Sequence, residues 1–361
     1  MTDHVLFNRL GHAGIITLNR PKSLNALTYD MIKAISLQLL RWRDDADVAL
    51  VVIKSAPGRA FCAGGDITEV TKRIDEEGID ATHLFFRHEY RLNWRIHHFP
   101  KPYMALIDGI TMGGGCGLSV HGDFRVATER TTYAMPETGI GLFPDVGGSY
   151  FMPRCPGETG MYSALTGERL RPADAYYLGI ANSYTPSDKL EALITALAES
   201  DISSKGNIEN ILQDFHESPG QSDVALLQGQ IDVVFRENSV EEILETLKLN
   251  GSEWALKTHG TLMTKSPSSV KVTYRELREG AKADFDDCMR MEYRIVTRVM
   301  AGHDFYEGVR AVIVDKDNAP KWQPDTFEHV GEAEVDEYFV APDEGDLHFD
   351  GPVGTRIGEK V

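Results

Sequence analysis

Two glycine clusters in the sequence could bind an anionic oxygen through their main chain. The first cluster is residues 60–66 (AFCAGGD) and the second is residues 109–117 (GITMGGGCG). Glycine lets the backbone approach a ligand closely, and a helix that begins at such a cluster adds unpaired N–H donors and a favourable dipole. Two donors from separate loops would form an oxyanion hole for a thioester carbonyl. Alternatively, the glycines only permit tight turns or close helix packing.

Two acidic residues stand where a carboxylate could do chemistry. Glu137 and Asp145 each follow a proline that comes after apolar residues. A carboxylate walled by Met135, Leu142 and Phe143 is partly desolvated, and it can act as a base, an acid or a nucleophile. Alternatively, either acid caps a helix, for which Asp145 is well placed because it precedes VGG.

The cysteines and histidines predict no metal and no cofactor of the protein's own. The cysteines show neither a CxxC pair nor a histidine-partnered spacing, and the glycine clusters match neither a phosphate loop nor GxGxxG. Without a disulfide framework or an apparent leader, we expect a cytoplasmic protein that starts close to its mature N-terminus. The cysteines are Cys62, Cys116, Cys155 and Cys288.

The composition excludes some classes of partner. The chain has 361 residues, of which 42% are apolar and 25% charged, as is usual for a globular protein. Because 55 acidic residues outnumber 37 basic ones, the formal net charge is -18, which argues against nucleic acid and anionic membranes as partners. Ten carboxylates lie in residues 325–350, which contain no lysine or arginine.

The elements that must position the glycines and the acids follow an α/β pattern. The alternation of Val5–Leu10 and of residues 15–19 predicts a hairpin, and Thr28 is the predicted N-cap of a first helix. Continuous apolar runs at residues 49–53 and Tyr103–Ile107 predict buried strands, each followed by a turn and a helix. Strand, turn and helix thus repeat, as in a sheet-based spiral.

Beyond residue 186 the pattern becomes helical. Four amphipathic segments follow one another between residues 190 and 247, and the strongest pattern covers residues 289–300. We therefore predict a core with the active site in residues 1–186, a helical C-terminal region in residues 187–324 and an acidic, loosely held extension in residues 325–361.

The motifs resemble, in their order, the crotonase, or enoyl-CoA hydratase/isomerase, superfamily. The resemblance covers roughly the first half of the chain, through residues 19–21 (NRP), 25–27 (NAL), 61–66, 109–117 and 135–148. It implies an α/β fold, a spiral of ββα units, here with a helical C-terminal domain. By the same resemblance the backbone N–H groups of Gly65 and Gly114 form the oxyanion hole, and coenzyme A is carried on the substrate.

One departure from the family pattern bears on the activity. Enoyl-CoA hydratases carry a glutamate directly after the GGGC-type cluster, and here that position is Gly117. Hydration of a double bond needs one group to activate water and another to protonate carbon, so the loss argues against a hydratase. Glu137 matches the second hydratase glutamate. Asp145 stands where hydrolases and some isomerases carry an acid.

A finer resemblance is to the 3-hydroxyisobutyryl-CoA hydrolase branch of the superfamily. It is carried by residues 85–90 (FFRHEY), 122–129 (GDFRVATE), 135–148 and 304–311 (DFYEGVRA). The resemblance implies hydrolysis of 3-hydroxyisobutyryl-CoA in valine degradation.

The same resemblance assigns roles to three acids. Glu137 either activates water or attacks the carbonyl to form a mixed anhydride. Asp145 orients the substrate hydroxyl or assists proton transfer, and Glu89 lines the acyl end of the site, unless Glu89 is only a charge on a solvated helix face. Cations for the phosphates of the substrate could come from Arg20, Lys22 and Arg59, although surface cations usually only interact with solvent.

Two other functions remain open from the sequence. The first is a hydratase or isomerase of unsaturated acyl-CoA, and the second is a non-catalytic acyl-CoA binding protein. The oligomeric state is also open. Related folds often form homo-oligomers through their C-terminal helices, but the longer C-terminal region of this chain could fill the same surface within one subunit.

Overall fold

The strands form two sheets that the chain visits in turn. The computed structural model describes residues 2–70, 79–343 and 345–349. A six-stranded sheet has the order β1-β2-β3-β5-β7-β9, and a three-stranded sheet has the order β4-β6-β8. The strands are β1 (Val5–Leu10), β2 (Ala13–Leu18), β3 (Leu50–Ser55), β4 (Ala60–Cys62), β5 (Tyr103–Ile107), β6 (Ile110–Met112), β7 (Phe124–Ala127), β8 (Thr132–Ala134) and β9 (Ser183–Tyr184).

Three successive turns of the chain each contribute one strand to each sheet. β1 and β2 form the predicted antiparallel hairpin, and the other named pairs in both sheets are parallel. The pairs β3/β4, β5/β6 and β7/β8 each place their first strand in the larger sheet and their second in the smaller sheet. A helix follows each of the first two pairs, so the predicted spiral of ββα units is confirmed.

The helices carry most of the chain beyond the sheets. The first helix begins at its predicted N-cap, because the Thr28 hydroxyl accepts the Met31 N–H at 3.2 Å. The helices are α1 (Tyr29–Asp44), α2 (Ile79–His97), α3 (Gly114–Ser119), α4 (Gly148–Phe151), α5 (Thr159–Thr166), α6 (Pro172–Tyr177), α7 (Leu190–Glu199), α8 (Lys205–Phe215), α9 (Asp223–Phe235), α10 (Val240–Asn250), α11 (Glu253–Leu262), α12 (Pro267–Gly280), α13 (Phe285–Met300), α14 (Asp304–Val309) and α15 (Glu332–Glu337). Within the described residues, no helix combines the length and apolar character that crossing a bilayer requires.

The inner strands β3 and β5 of the larger sheet are buried on both faces, which explains their continuous apolar sequences. In β3, Leu50 and Val52 pack with α7 and α8, whereas Val51 and Ile53 belong to the main core on the other face. Successive side chains of a strand point to opposite faces, so a strand covered on both sides must be apolar throughout. The first helices after residue 186 therefore share a core with the sheet.

The acidic C-terminal segment is more firmly attached than its composition indicates. Phe327, Val330, Val335, Leu347 and Phe349 are buried in the main core, so the expectation of a loosely held segment is wrong for the described residues 325–343 and 345–349. The residues after 349 lie outside the described part of the chain.

Arginines of the helical region form ion pairs with carboxylates of the acidic C-terminal segment. Arg294 on α13 makes a bidentate contact with Asp346, at 2.7 Å from Nε and 2.6 Å from an Nη atom. Arg275 pairs with Asp336, and Arg298 pairs with Glu337. The segment thus places carboxylates over basic positions of α12 and α13.

We expect apolar burial, rather than these ion pairs, to hold the segment in place. Phe327→Ala should lower the free energy of unfolding by about 3 kcal/mol, because it leaves a cavity in the core. Asp336→Asn should cost less than about 1 kcal/mol, because the pair with Arg275 is largely exposed to solvent. Urea unfolding of both variants measures the difference, and an equal or larger loss from Asp336→Asn would contradict this account.

Candidate active site

The two glycine clusters meet next to one another. The loop after β4 is tied to residue 27, because the Leu27 N–H donates to the Gly64 carbonyl at 2.8 Å. A Cβ atom built on Gly64 would lie 3.8 Å from the Gly114 nitrogen, and one built on Gly114 would lie 3.4 Å from the Gly65 nitrogen. The structure therefore brings together the two N–H groups that the sequence analysis singled out.

Close backbone contact explains the glycine at position 115. A Cβ atom on Gly115 would lie 2.1 Å from the Cys62 carbonyl oxygen, so a side chain there would separate α3 from the loop that carries Gly65. Gly113 precedes α3 with φ of 49°, a conformation that glycine adopts easily. Among the described residues, no acceptor is paired with the N–H of Gly65 or Gly114, which leaves both donors available to a ligand.

The NRP and NAL motifs hold the first glycine loop in place. Asn25, with φ of 55°, donates from its side chain to the carbonyls of Ala60 at 3.0 Å and Phe61 at 3.1 Å. Arg20 donates to the Ala26 carbonyl at 2.8 Å and forms an ion pair with Asp66 at 2.8 Å. Arg20 is therefore engaged in supporting the loop.

Glu137 faces the second glycine cluster from a short 3₁₀ turn, Glu137–Ile140. The residue is 5% exposed, and its Oε1 would lie 3.2 Å from a Cβ atom on Gly113. Its Oε2 has no hydrogen-bond partner among the described residues. Burial raises the pKa of Glu137 well above its usual value, and the charge of Asp145 adds to this, while Lys265 offsets part of it.

Asp145 is a second buried acid at the site. Its Oδ2 accepts the Tyr90 hydroxyl at 2.9 Å. Burial raises the pKa of Asp145 to about 7, although the Tyr90 hydrogen bond acts in the opposite direction. The side chain does not cap α4, whose N-cap is Gly147 without a side-chain cap, so the capping alternative for Asp145 is wrong.

Glu89 on α2 lies beside the second glycine cluster. It is 3% exposed, so the alternative of a solvated helix face is wrong. Its Oε1 would lie 2.4 Å from a Cβ atom on Gly114 and has no hydrogen-bond partner among the described residues. Burial, and then the charge of Asp145, raise the pKa of Glu89 well above its usual value. The charge of Asp145 thus raises the pKa values of both Glu89 and Glu137 in a poorly solvated space.

The turn after Asp145 is held in a strained conformation. Val146 has φ of 53°, which is unfavourable for a β-branched residue and costs about 1–3 kcal/mol. The His121 Nε2–H donates to the Val146 carbonyl at 2.7 Å. Glu292 of α13 accepts the Gly147 N–H at 2.8 Å and the Ser149 hydroxyl at 2.5 Å. These contacts fix the direction in which Asp145 points.

His121 and Glu292 were not identified from the sequence. His121 carries no recognisable motif. Glu292 does leave a signal, because it is a carboxylate within the apolar face that Met289, Tyr293 and Val296 form on the most strongly amphipathic helix. Burial raises the pKa of Glu292 to about 8, although its hydrogen bonds favour the ionised form.

The side chains of Asn93 and Val146 occupy the space beside Gly117, the position at which hydratases carry a glutamate. A Cβ atom on Gly117 would lie 2.4 Å from Asn93 Nδ2 and 2.7 Å from Val146 Cβ. The site therefore has no free volume at residue 117 for a second carboxylate.

The cysteines do not act as nucleophiles at this site. All four are buried and free, and burial raises the pKa of Cys62 to about 12. Among the described residues, no group of three or more His, Cys, Asp or Glu side chains could hold a metal ion.

We expect the free energy of unfolding to fall between about pH 6.5 and pH 8. Burial raises the pKa of Asp145 to about 7 and of Glu292 to about 8, so the folded protein keeps protons that the unfolded chain has lost. Stability then decreases with rising pH. Half-buried His97 and His121, with pKa values lowered to about 4 and 3, oppose this only below the ordinary histidine value of 6.5.

Urea unfolding at pH 6.5 and pH 8 tests this expectation, and a constant or increasing stability would contradict it. Glu276→Gln provides a matched variant. Glu276 is 0% exposed with both oxygens unpartnered among the described residues, and burial raises its pKa well above the usual value. Removing this group should make the pH dependence shallower by up to about 1.4 kcal/mol per pH unit.

The chain is similar to known proteins over most of its length. The chain matches the enoyl-CoA hydratase/isomerase family profile over residues 13–339. It is 50% identical over 348 residues to a Danio rerio protein named 3-hydroxyisobutyryl-CoA hydrolase, mitochondrial, and the match covers 95% of this chain and 91% of the relative. The Homo sapiens protein of the same name is 47% identical over 352 residues, with 96% and 91% covered.

Solved structures agree with the fold. A carnitinyl-CoA dehydratase from Mycobacterium thermoresistibile superimposes with a TM-score of 0.91 at 37% identity, covering 97% of this chain and 100% of that one. An enoyl-CoA hydratase from Rhodobacter sphaeroides superimposes with a TM-score of 0.89 at 36% identity, covering 96% and 100%. The predicted crotonase-like fold is confirmed.

The predicted cytoplasmic location is wrong. The relatives from D. rerio and H. sapiens are both named as mitochondrial proteins. The prediction relied largely on unpaired cysteines, which indicate a reducing environment without identifying one compartment.

Proposed function

The chain belongs to the enoyl-CoA hydratase/isomerase family, and we propose that it hydrolyses 3-hydroxyisobutyryl-CoA to 3-hydroxyisobutyrate and coenzyme A, a step of valine degradation. The observation that carries this proposal is the pairing of one carboxylate, Glu137, with two converging glycine amides, while the space at Gly117 is filled. The relatives named as 3-hydroxyisobutyryl-CoA hydrolases, at 47–50% identity, support the choice of substrate.

The glycine amides stabilise the developing charge. The N–H groups of Gly65 and Gly114 bind the thioester oxygen as the carbonyl carbon becomes tetrahedral and the oxygen becomes anionic. Removal of one such donor typically costs about 3 kcal/mol of transition-state stabilisation. Because both donors lie on backbone that glycine contacts hold together, they need no reorganisation during the reaction.

Glu137 carries the bond-forming step in one of two ways. As a base, it takes a proton from water while the water oxygen bonds to the carbonyl carbon, and the intermediate then expels the coenzyme A thiolate. As a nucleophile, its own oxygen bonds to that carbon and expels the thiolate, and water then opens the mixed anhydride. In both routes the thiolate leaves with the electron pair of the carbon–sulfur bond and is protonated to the free thiol.

Isotope labelling reveals the anhydride route when water opens the anhydride at the Glu137 carbonyl carbon. In a single turnover in ¹⁸O-labelled water, water activation places the label only in the released acid, as does attack of water on the acyl carbon of an anhydride. Attack of water on the Glu137 side of an anhydride instead places the label in the Glu137 carboxylate, where mass spectrometry of the peptide detects it.

Asp145 and Glu89 form the acyl end of the site. Asp145 orients the substrate hydroxyl or assists proton transfer, and its pKa of about 7 lets it do either near neutral pH. Glu89 stands next to Gly114 and limits the space for the acyl group. No cofactor takes part in this proposal, because coenzyme A enters as part of the substrate, so activity should survive dialysis against a chelator.

A thiol-release assay tests the proposed function. Purified protein is given 3-hydroxyisobutyryl-CoA, and free thiol is followed with a disulfide dye. Crotonyl-CoA is tested in parallel for loss of its conjugated double bond. Thiol release from the first substrate supports hydrolysis. Loss of conjugation without thiol release would establish a hydratase, and tight binding of both thioesters without turnover would establish a binding protein.

A further inference from the structure

Asn93 is a buried polar residue to which the proposed mechanism gives no role. It lies on α2 and is 1% exposed. Its Oδ1 has no hydrogen-bond partner among the described residues. A buried polar atom without a partner destabilises the fold, so its retention calls for a physical reason.

The Asn93 amide lies where the family's hydratases have their extra glutamate. Its Nδ2 would be 2.4 Å, and its Cγ 3.1 Å, from a Cβ atom on Gly117. The absence of a side chain at Gly117 therefore makes room for the amide. The neutral Asn93 amide, which can both donate and accept hydrogen bonds, thus occupies the position of the ionisable glutamate of the hydratases.

The amide is also adjacent to the acyl end of the site. Asn93 follows Glu89 by four residues and Tyr90 by three, so the three side chains lie on one face of α2. The Tyr90 hydroxyl donates a hydrogen bond to Asp145. Val146, which follows Asp145, and Asn93 would both contact a Cβ atom placed on Gly117. The amide thus lies between the helix face that carries Glu89 and the turn that carries Asp145.

We propose that the Asn93 side-chain amide hydrogen-bonds the 3-hydroxyl group of the substrate and so selects hydroxyacyl thioesters over acyl thioesters without that group. This inference rests on the proposed hydrolase function. Glu89, Glu137 and Asp145 crowd the site with acids, and a further carboxylate would add repulsion there, whereas an amide recognises a hydroxyl without adding charge. The substrate hydroxyl gives the unpaired Oδ1 the donor that it lacks in the free protein.

The test compares two substrates on the same enzyme preparation. Wild-type protein and Asn93→Leu are assayed for thiol release from 3-hydroxyisobutyryl-CoA and from isobutyryl-CoA, which lacks the hydroxyl. We expect Asn93→Leu to lower the ratio of the two kcat/KM values about tenfold, the equivalent of one hydrogen bond. Because each ratio comes from one preparation, a partly inactive variant does not distort it. Asn93→Ala, which opens space instead of filling it, should give the same direction if Asn93→Leu fails to fold.

Thr185→Val is the matched control. The Thr185 hydroxyl is also buried and unpartnered among the described residues, but it follows β9 at the edge of the larger sheet. This variant should keep the wild-type ratio. A wild-type ratio in Asn93→Leu and Asn93→Ala, with hydrolysis intact, would overturn the role of Asn93 alone. Absence of thiol release by the wild-type protein from both thioesters would instead overturn the proposed function and the inference with it.

Discussion

Replacing Glu137 by glutamine is expected to lower kcat for thiol release by about 10²–10⁴-fold, the contribution typical of a positioned acid–base group. Glutamine has the same shape as glutamate but can neither accept a proton from water nor displace the thiolate. Burial of Glu137 and its contact with Gly113 should be unchanged, so the protein should fold and bind substrate with a similar KM. The measurement is a saturation curve of thiol release for both proteins.

The pH profile adds a second readout for Glu137. Burial raises its pKa, so the ionised form increases with pH and the wild-type rate should rise through that ionisation. Glu276→Gln is the control, because Glu276 is another buried glutamate with a raised pKa and the proposed mechanism gives it no role. It should retain most of the activity. If Glu137→Gln kept the wild-type velocity, this result would contradict the proposal that Glu137 carries the bond-forming step.

Restoring the hydratase glutamate through Gly117→Glu is expected to abolish most thiol release without creating a hydratase. The added Cβ alone would meet Asn93 Nδ2 at 2.4 Å and Val146 Cβ at 2.7 Å. Val146 is already strained and directly follows Asp145, so the turn that carries Asp145 must shift. A displacement of about 1 Å at reacting groups can cost about 10²-fold in rate.

Gly117→Ala distinguishes the effect of the steric clash at residue 117 from the effect of an added carboxylate charge. It adds the clashing Cβ without a carboxylate, so it should show a large part of the same loss in kcat and a lower free energy of unfolding. Crotonyl-CoA hydration is measured alongside thiol release in both variants. Efficient hydration by Gly117→Glu with wild-type stability would show that the space at Gly117 is adaptable, which contradicts this account.

Much of the fold was predictable because its signals are local. The alternation of Val5–Leu10, the apolar run of Tyr103–Ile107 and the Thr28 N-cap each describe one element, and the structure confirms each of them. The apolar residues of the acidic C-terminal segment were undervalued, because their burial depends on the surfaces of α12 and α13 rather than on their own spacing.

The sequence identified the candidate catalytic acids only in part. Glu137 and Asp145 were singled out because each follows a proline after apolar residues, and the structure buries both, with Glu137 beside Gly113. Glu89 could not be separated from a solvated charge by its sequence alone, since burial is decided by what packs on α2. The supporting contacts of His121 and Glu292 come from segments far apart in the chain.

The sequence by itself determined the order of strands, turns and helices, the two glycine clusters and the loss of a carboxylate at Gly117. Hydrogen bonding, side-chain periodicity and glycine's conformational freedom act over a few residues, so a linear pattern records them. Only the tertiary structure decided that Asn93 fills the space at Gly117 and that the charge of Asp145 raises the pKa values of Glu89 and Glu137. Those properties depend on distances and solvent exclusion between distant segments, which arise when α2 and α13 pack against the spiral.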